Sequence, residues 1–309
     1  MAAKRDLLSM LDVRDDLVGL LELAASIKNR TKAGEPYEPL RGKSLAMIFE
    51  KSSTRTRVSF EVGMTQLGGH ALFLSPIDLQ LGRGETIADT ARVLSRYVDG
   101  IMYRAFKQEN MVELARSASV PVINGLDDKE HPCQIIADLF TMQEQKGDLK
   151  ELKLAYVGDG NNVCNSLLLG ASIMGMDMTA ACPKDYEPDA DLLAHARKIA
   201  KESGSKIHVV EDPDQAAKGA DVLYTDVWVS MGQEKEKEER ERLFKPYQVN
   251  RDLLSLANPK AIVMHCLPAH RGLEITDDTM DGLQSVVFDQ AENRVHAQKA
   301  ILARFLAGV

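Results

Sequence analysis

No apolar run in these 309 residues approaches the roughly 18 that a membrane-spanning helix requires. The opening stretch Met1-Ala2-Ala3-Lys4-Arg5-Asp6 offers no apolar signal core before its first acidic residue. Cysteine is sparse as well. Cys133, Cys164, Cys182 and Cys266 stand far apart, with no Cys-x-x-Cys pair and no cluster of histidines. That distribution argues against a disulfide framework or a structural zinc site and suits a reducing compartment. The expectation is a cytoplasmic protein. Positive charge is in deficit: 38 Lys and Arg against 46 Asp and Glu leave a formal net charge of −8. A field of that sign repels nucleic acid and anionic lipid, so neither is an expected partner. An anionic substrate would need a basic pocket built against the global charge.

What is present is ordinary for a folded chain: 44% hydrophobic and 27% charged residues. The length suits two domains of roughly 150 residues each. Short apolar runs alternate with amphipathic stretches. Ser44–Phe49, Ala71–Leu74, Ile101–Tyr103 and Pro121–Ile123 read as strands, with helices over about 54–67, 87–98 and 111–118 between and after them. A longer helix runs from His131 to about Gln145 and links two domains. The rhythm then restarts, with strands at Leu152–Val157, Met178–Ala181, Ile207–Val210, Val222–Tyr224, Ile262–Met264 and Val286–Phe288. Helices fall over about 166–174, 189–202 and 297–306. This alternation predicts an α/β protein of two domains, each a parallel sheet flanked by helices, joined by long helices. The expected domains are 1–147 and 148–309, with the last helix, about 290–309, packing back on the first. The charge-dense stretch Glu234–Arg242 reads as a solvated helix or mobile loop.

Ligands of open α/β sheets sit at the carboxyl ends of the strands. After the first strand comes Ser53-Thr54-Arg55-Thr56-Arg57, which brings hydroxyls and guanidiniums to a helix start. Free N–H groups and the positive end of the helix dipole favour an anion there. Arg104 follows the third strand, and His131-Pro132-Cys133-Gln134 opens the linking helix. Three polar sites at successive strand ends point to one anion pocket.

These motifs resemble the carbamoyl-phosphate domain of the aspartate and ornithine carbamoyltransferases. The resemblance implies that Ser53, Thr54, Arg55, Thr56 and Arg104 hold the phosphate. It implies that Thr56, Arg104 and His131 polarise the carbonyl oxygen, that Gln134 contacts the carbamoyl nitrogen, and that Pro132 and Cys133 line the same site. Gln80, in the polar loop between Ser75 and Glu85, matches a residue that touches carbamoyl phosphate from a neighbouring subunit. A homotrimer, or a multiple of trimers, is therefore implied.

In the second half, Gly158-Asp159-Gly160-Asn161-Asn162-Val163 follows a strand and hints at a dinucleotide site. The third glycine of that fingerprint is missing, with Val163 in its place. Asp226-Val227-Trp228-Val229-Ser230-Met231-Gly232 and His265-Cys266-Leu267-Pro268 resemble instead the ornithine-using branch of the same family. Asn162, Asp226, Ser230 and Met231 then bind ornithine. Cys266 and the Leu267 carbonyl lie near the reacting amine, and the same two residues contact carbamoyl phosphate together with Arg294. The implied reaction transfers the carbamoyl group to the ornithine δ-amine, giving citrulline and phosphate, a step of arginine metabolism. Arg104, His131, Cys266 and Asp226 act catalytically, and neither a metal nor an organic cofactor is implied. A related amine such as N-acetylornithine or putrescine is the alternative acceptor.

Overall fold

The computed structural model describes residues 4–75, 79, 84–230, 232 and 234–309. The chain divides into two compact units, Met1–Phe140 with Glu292–Val309, and Thr141–Ala291. In the first, a short 3-10 turn at Met10–Val13 precedes α1 (Leu17–Lys32). There follow β1 (Ser44–Phe49), α2 (Thr54–Gln66), β2 (His70–Leu74), α3 (Ile87–Leu94), β3 (Gly100–Arg104), α4 (Gln108–Ser117), β4 (Val122–Leu126) and α5 (Pro132–Lys146). The second unit contains β5 (Lys153–Val157), α6 (Asn162–Met174), β6 (Asp177–Ala181), α7 (Ala190–Ser203), β7 (Ile207–Val210), α8 (Pro213–Ala217) and β8 (Val222–Thr225). It continues through α9 (Lys237–Phe244), α10 (Arg251–Leu256), β9 (Ile262–His265) and α11 (Asp277–Met280) to α12 (Val287–Leu302). The unit boundaries fall inside α5 and α12, so the chain passes between units along helices.

Both sheets are parallel, as the alternating pattern predicts. The first has order β2-β1-β3-β4 and the second β7-β6-β5-β8-β9. Parallel strands are covered on both faces and so read as continuous apolar runs. β1, Ser-Leu-Ala-Met-Ile-Phe, is buried from its second residue on, and β3 is buried throughout. In each sheet the strand order reverses once, between β1 and β3 and between β5 and β8. Crevices at such reversals lie outside the carboxyl ends of the strands. Phe49 of β1 is in register with Arg104 of β3, and Val157 of β5 with Thr225 of β8. Thr225 in turn pairs with His265 of β9. The segments after Phe49, Arg104, Val157, Thr225 and His265 are thereby brought to the crevices.

Three expectations are corrected. Val286–Phe288 is not a strand. Val286 donates to the Val263 carbonyl at 3.0 Å beside a single bridge at Ser285, and the chain then turns directly into α12. A short β-branched run is compatible with either state, and here the carbonyl of Val286 already accepts the Gln290 N–H at 2.8 Å. α3 ends at Leu94 rather than running to Val98, and the N–H groups of Arg96 and Tyr97 tighten into i→i−3 bonds to the Val93 and Leu94 carbonyls. Finally, α1 lies in a region where no helix was expected. Its buried Leu17, Leu20, Leu21, Ala24, Ile27 and Lys28 follow helical spacing.

Candidate active site

At the first crevice, Ser53 caps α2. Its backbone is extended, and its hydroxyl accepts the Thr56 N–H at 3.3 Å. A Ser cap of this kind is worth about 1 kcal/mol. It leaves the Thr54 and Arg55 end of the helix half-open, while Thr56 turns inward and is buried. Arg294, from the α12 segment that belongs to the first unit, donates through Nη2 to Thr56 Oγ1 at 3.3 Å and through Nη1 to Gln134 Oε1. Gln134 passes its own amide protons to Asp138 Oδ1 at 2.7 Å. One chain of hydrogen bonds, Arg294 to Gln134 to Asp138, thus fixes the amide with its oxygen toward the guanidinium.

Pro132 opens α5, the position where a missing N–H costs least. The His131 carbonyl just before it accepts the N–H groups of Gln134 and Ile135, so the imidazole sits at the helix start. Burial, with the Arg294 and Arg104 guanidiniums beside it, holds the His131 pKa well below the ordinary imidazole value. The ring is therefore neutral at neutral pH. Arg104, the last residue of β3 rather than the first beyond it, is itself buried. Lys51 is lowered by burial and then by Arg104, and its ammonium lies 4.8 Å from the Phe106 ring centroid. The carboxylates of Asp128, Glu50 and Asp127 pull the other way without offsetting that lowering. The Cys133 thiol is spoken for: it donates to the Asn124 carbonyl at 3.3 Å, and burial pushes its pKa up to about 12.

At the second crevice, Asp226 follows β8 and is buried. Its Oδ2 accepts from Asn161 Nδ2 at 2.8 Å, and its Oδ1 from Cys266 Sγ at 2.9 Å and from the Val227 N–H at 2.8 Å. Asn161 is the cap of α6, with Oδ1 accepting the Val163 and Cys164 N–H groups. It therefore orients Asp226 by the amide end that capping leaves over. Asn162 is the first residue of α6, and Ser230 stands half-buried at the end of the segment after β8. Leu267 adopts φ +62°, and its peptide to Pro268 is cis.

The two glycines of the Gly-Asp-Gly segment have structural work here. Gly158 has φ +141°, and a Cβ at Gly160 would stand 2.3 Å from the Glu187 carbonyl carbon. The aspartate between them is equally occupied. Arg240 of α9 bonds Asp159 Oδ2, donates through Nε to the Trp228 carbonyl at 2.6 Å, and lies 4.7 Å from the Tyr186 ring centroid. Burial pushes the Asp159 carboxyl up to about 7 against the pull of Arg240. The charge-dense stretch is thus a helix with one buried arginine, and that arginine ties the segment after Trp228 to the loop after β5.

Asp226, His265 and Cys266 each place one potential ligand atom within 4.8 Å of the others, a grouping that could hold a metal ion. Both ring nitrogens of His265 already have protein partners. Nδ1 accepts the Leu267 N–H at 2.9 Å, and Nε2 lies 3.1 Å from Glu274 Oε1. A cation would have to displace one of them.

The first unit brings together Thr56, Arg104, His131, Gln134 and Arg294, and the second brings together Asp226 and Cys266. Gln80 and Met231 lie outside the described residues. Sequence reasoning missed Asn161, Lys51, Asp138, Arg240, His265 and Glu274. An Asn before a helix is a cap signal that could have singled out Asn161 rather than its neighbour. Nothing local marks Arg240.

Comparison with known proteins gives the family. Residues 5–144 match the family description "Aspartate/ornithine carbamoyltransferase, carbamoyl-P binding domain", and residues 150–305 match its "Asp/Orn binding domain". The chain belongs to the aspartate/ornithine carbamoyltransferase family. It is 59% identical over 301 residues to the ornithine carbamoyltransferase of Methanobrevibacter smithii, covering 97% of this chain and 99% of that one. It is 55% identical over 306 residues to the catabolic ornithine carbamoyltransferase of Thermoplasma volcanium, covering 99% of both. Among solved structures, the ornithine carbamoyltransferase of Pyrococcus furiosus superposes with a TM-score of 0.96 at 56% identity, covering 99% of this chain and 98% of that one.

Proposed function

We infer that the chain transfers the carbamoyl group of carbamoyl phosphate to the δ-amine of L-ornithine, releasing L-citrulline and phosphate. The observation that carries this reading is full-length identity of 55–59% to relatives that bear the name ornithine carbamoyltransferase. In it, Ser53, Thr54, Arg55, Thr56 and Arg104 grip the phosphate with Arg294, and Gln134 faces the carbamoyl group beside Pro132 and Cys133. Thr56, Arg104 and neutral His131 stabilise the charge that develops on the carbonyl oxygen, the kind of preorganised donor set that acts most strongly where water is excluded. Asn162, Asp226 and Ser230 hold ornithine, with Met231 completing the segment.

Ornithine arrives as an ammonium and must lose a proton before it attacks. The Cys266 thiol, already donating to Asp226, takes that proton as its own passes to the carboxylate. The freed amine forms a C–N bond to the carbonyl carbon. The tetrahedral intermediate then breaks its C–O bond to phosphate, which leaves with the second amine proton. Positioning and electrostatics supply the catalysis. Gln80 and a trimeric assembly belong to the same reading. Light scattering on the purified protein gives the assembly mass. Phosphate release and the matching ureido product, measured with carbamoyl phosphate and ornithine, N-acetylornithine or putrescine in turn, test the reaction: product from ornithine alone is the expected result, and a faster rate with another amine overturns the acceptor.

A further inference from the structure

The segment that carries Cys266 and Leu267 is held from behind by groups without an assigned role. Leu267 is not glycine, yet it sits at φ +62°, a conformation that L side chains rarely adopt. Such a backbone persists only where its surroundings over-determine it. Its N–H points at His265 Nδ1, 2.9 Å away. A backbone N–H can only donate, so Nδ1 must accept and carries no proton. The ring's one proton then resides on Nε2, which lies 3.1 Å from Glu274 Oε1. Glu274 and His265 are wholly buried. The same Oε1 also accepts the His270 N–H, which ties the carboxylate to the far side of the loop. On the other flank, the His265 N–H donates to Gln290 Oε1 at 2.9 Å.

We propose that Glu274 and His265 are positioning residues for the reaction. Glu274 fixes the His265 tautomer, His265 thereby holds the Leu267 N–H, and the hold aims the Cys266 thiol at Asp226 and sets the direction of the Leu267 carbonyl. The inference rests on the reading that Cys266 and Asp226 receive the ornithine amine. It also excludes a role for His265, next to the thiol, as the general base. A proton cannot enter at Nδ1 without losing the Leu267 bond, and Nε2 already carries one. An imidazole adjacent to a thiol would ordinarily be the first candidate for that base; here the hydrogen bonds assign it to scaffolding.

Chemistry distinguishes two substitutions. The hydrogen bonds from His265 Nε2 and the His270 N–H both end on Glu274 Oε1, so Glu274→Gln can keep them through its amide oxygen, whereas Glu274→Leu removes the acceptor altogether. The experiment measures kcat, KM for each substrate, and the rate at which iodoacetamide alkylates Cys266, followed on the Cys266 peptide by mass spectrometry. Displacing a reacting group by about 1 Å can cost roughly 100-fold, so Glu274→Leu should lower kcat by about 10- to 100-fold and change the alkylation rate at least about threefold. KM for carbamoyl phosphate should stay within about twofold, and Glu274→Gln should recover kcat to within about fivefold of the parent. A purely structural role would move the melting temperature without this split. A folded Glu274→Leu protein whose kcat or whose Cys266 alkylation matches the parent overturns the proposal, as does a Gln variant that falls as far as the Leu one.

Should Glu274→Leu fail to fold, His265→Asn against His265→Leu decides. The Asn oxygen can take the Leu267 N–H and should leave the enzyme at least about tenfold faster than Leu does; equal rates overturn the assignment. Absence of citrulline from the parent would remove the underlying reaction. Unchanged alkylation in the Leu variant would remove only the positioning role.

Discussion

In the first unit the crevice between β1 and β3 is lined by the guanidiniums of Arg104 and Arg294 around a neutral imidazole. In the second, the crevice between β5 and β8 holds an aspartate, an asparagine and a thiol joined by hydrogen bonds of 2.8 and 2.9 Å. The two crevices occupy the same place in their sheets. One gathers positive charge at helix starts, which suits an anion wherever it comes from. The other surrounds a single buried carboxylate with groups that fix its direction, which suits a particular amine. Strong binding of charge and selection of a partner are thus separate tasks, given to separate units.

That contrast can be broken by exchanging its charges. Arg104→Leu should lower kcat/KM by about 1,000-fold or more, since a charge-assisted contact and transition-state stabilisation are lost together; steady-state citrulline formation reads it. Asp226→Asn keeps the shape of the second crevice but removes its charge. It should lower kcat/KM for ornithine by about 100-fold while KM for carbamoyl phosphate stays within about threefold. Equal damage to both substrates would erase the division of labour.

The electrostatics of the first crevice can be sharpened through stability. Because the folded-state pKa of His131 is lowered, the unfolded chain holds more protons on this side chain below about pH 6.5. Its contribution is therefore lost as pH falls, by at most about 1.4 kcal/mol per unit below that point. Between pH 7 and 5 the melting temperature of His131→Gln should fall less steeply than that of the parent. The smallest effect is expected of Ser53→Ala, which removes the α2 cap and costs about 1 kcal/mol in denaturant titrations.

The parallel sheets were legible because strands buried on both faces are apolar without interruption, and β1 and β7 match their expected bounds. The first crevice was legible for a related reason: its hydroxyls and cations cluster along the chain at strand ends. Long-range pairings were not. Glu234–Arg242 reads as uniformly solvated because Arg240 resembles its neighbours, and the partners that make it a core residue, Asp159 81 positions away, the Trp228 carbonyl and the Tyr186 ring, all lie outside the stretch. Asn161 and Asn162 are adjacent and chemically identical, and only the α6 cap tells which one meets Asp226. His265 was visible in its motif, but its service to Leu267 depends on Glu274 and on a left-handed backbone that no residue type announces.

The first unit is discontinuous in sequence, with its closing segment, Glu292–Val309, following the whole of the second unit. Arg294 reaches Thr56 and Gln134 from that segment. A ribosome delivers residues in order, at about 5–20 per second. The hydrogen-bonded set of Thr56, Gln134 and Arg294, although two of its members are translated first, therefore stays incomplete for the whole time that the second unit is being made. A chain terminated inside the second unit would carry Thr56, Arg104, His131 and Gln134 but lack the guanidinium that joins Thr56 to Gln134.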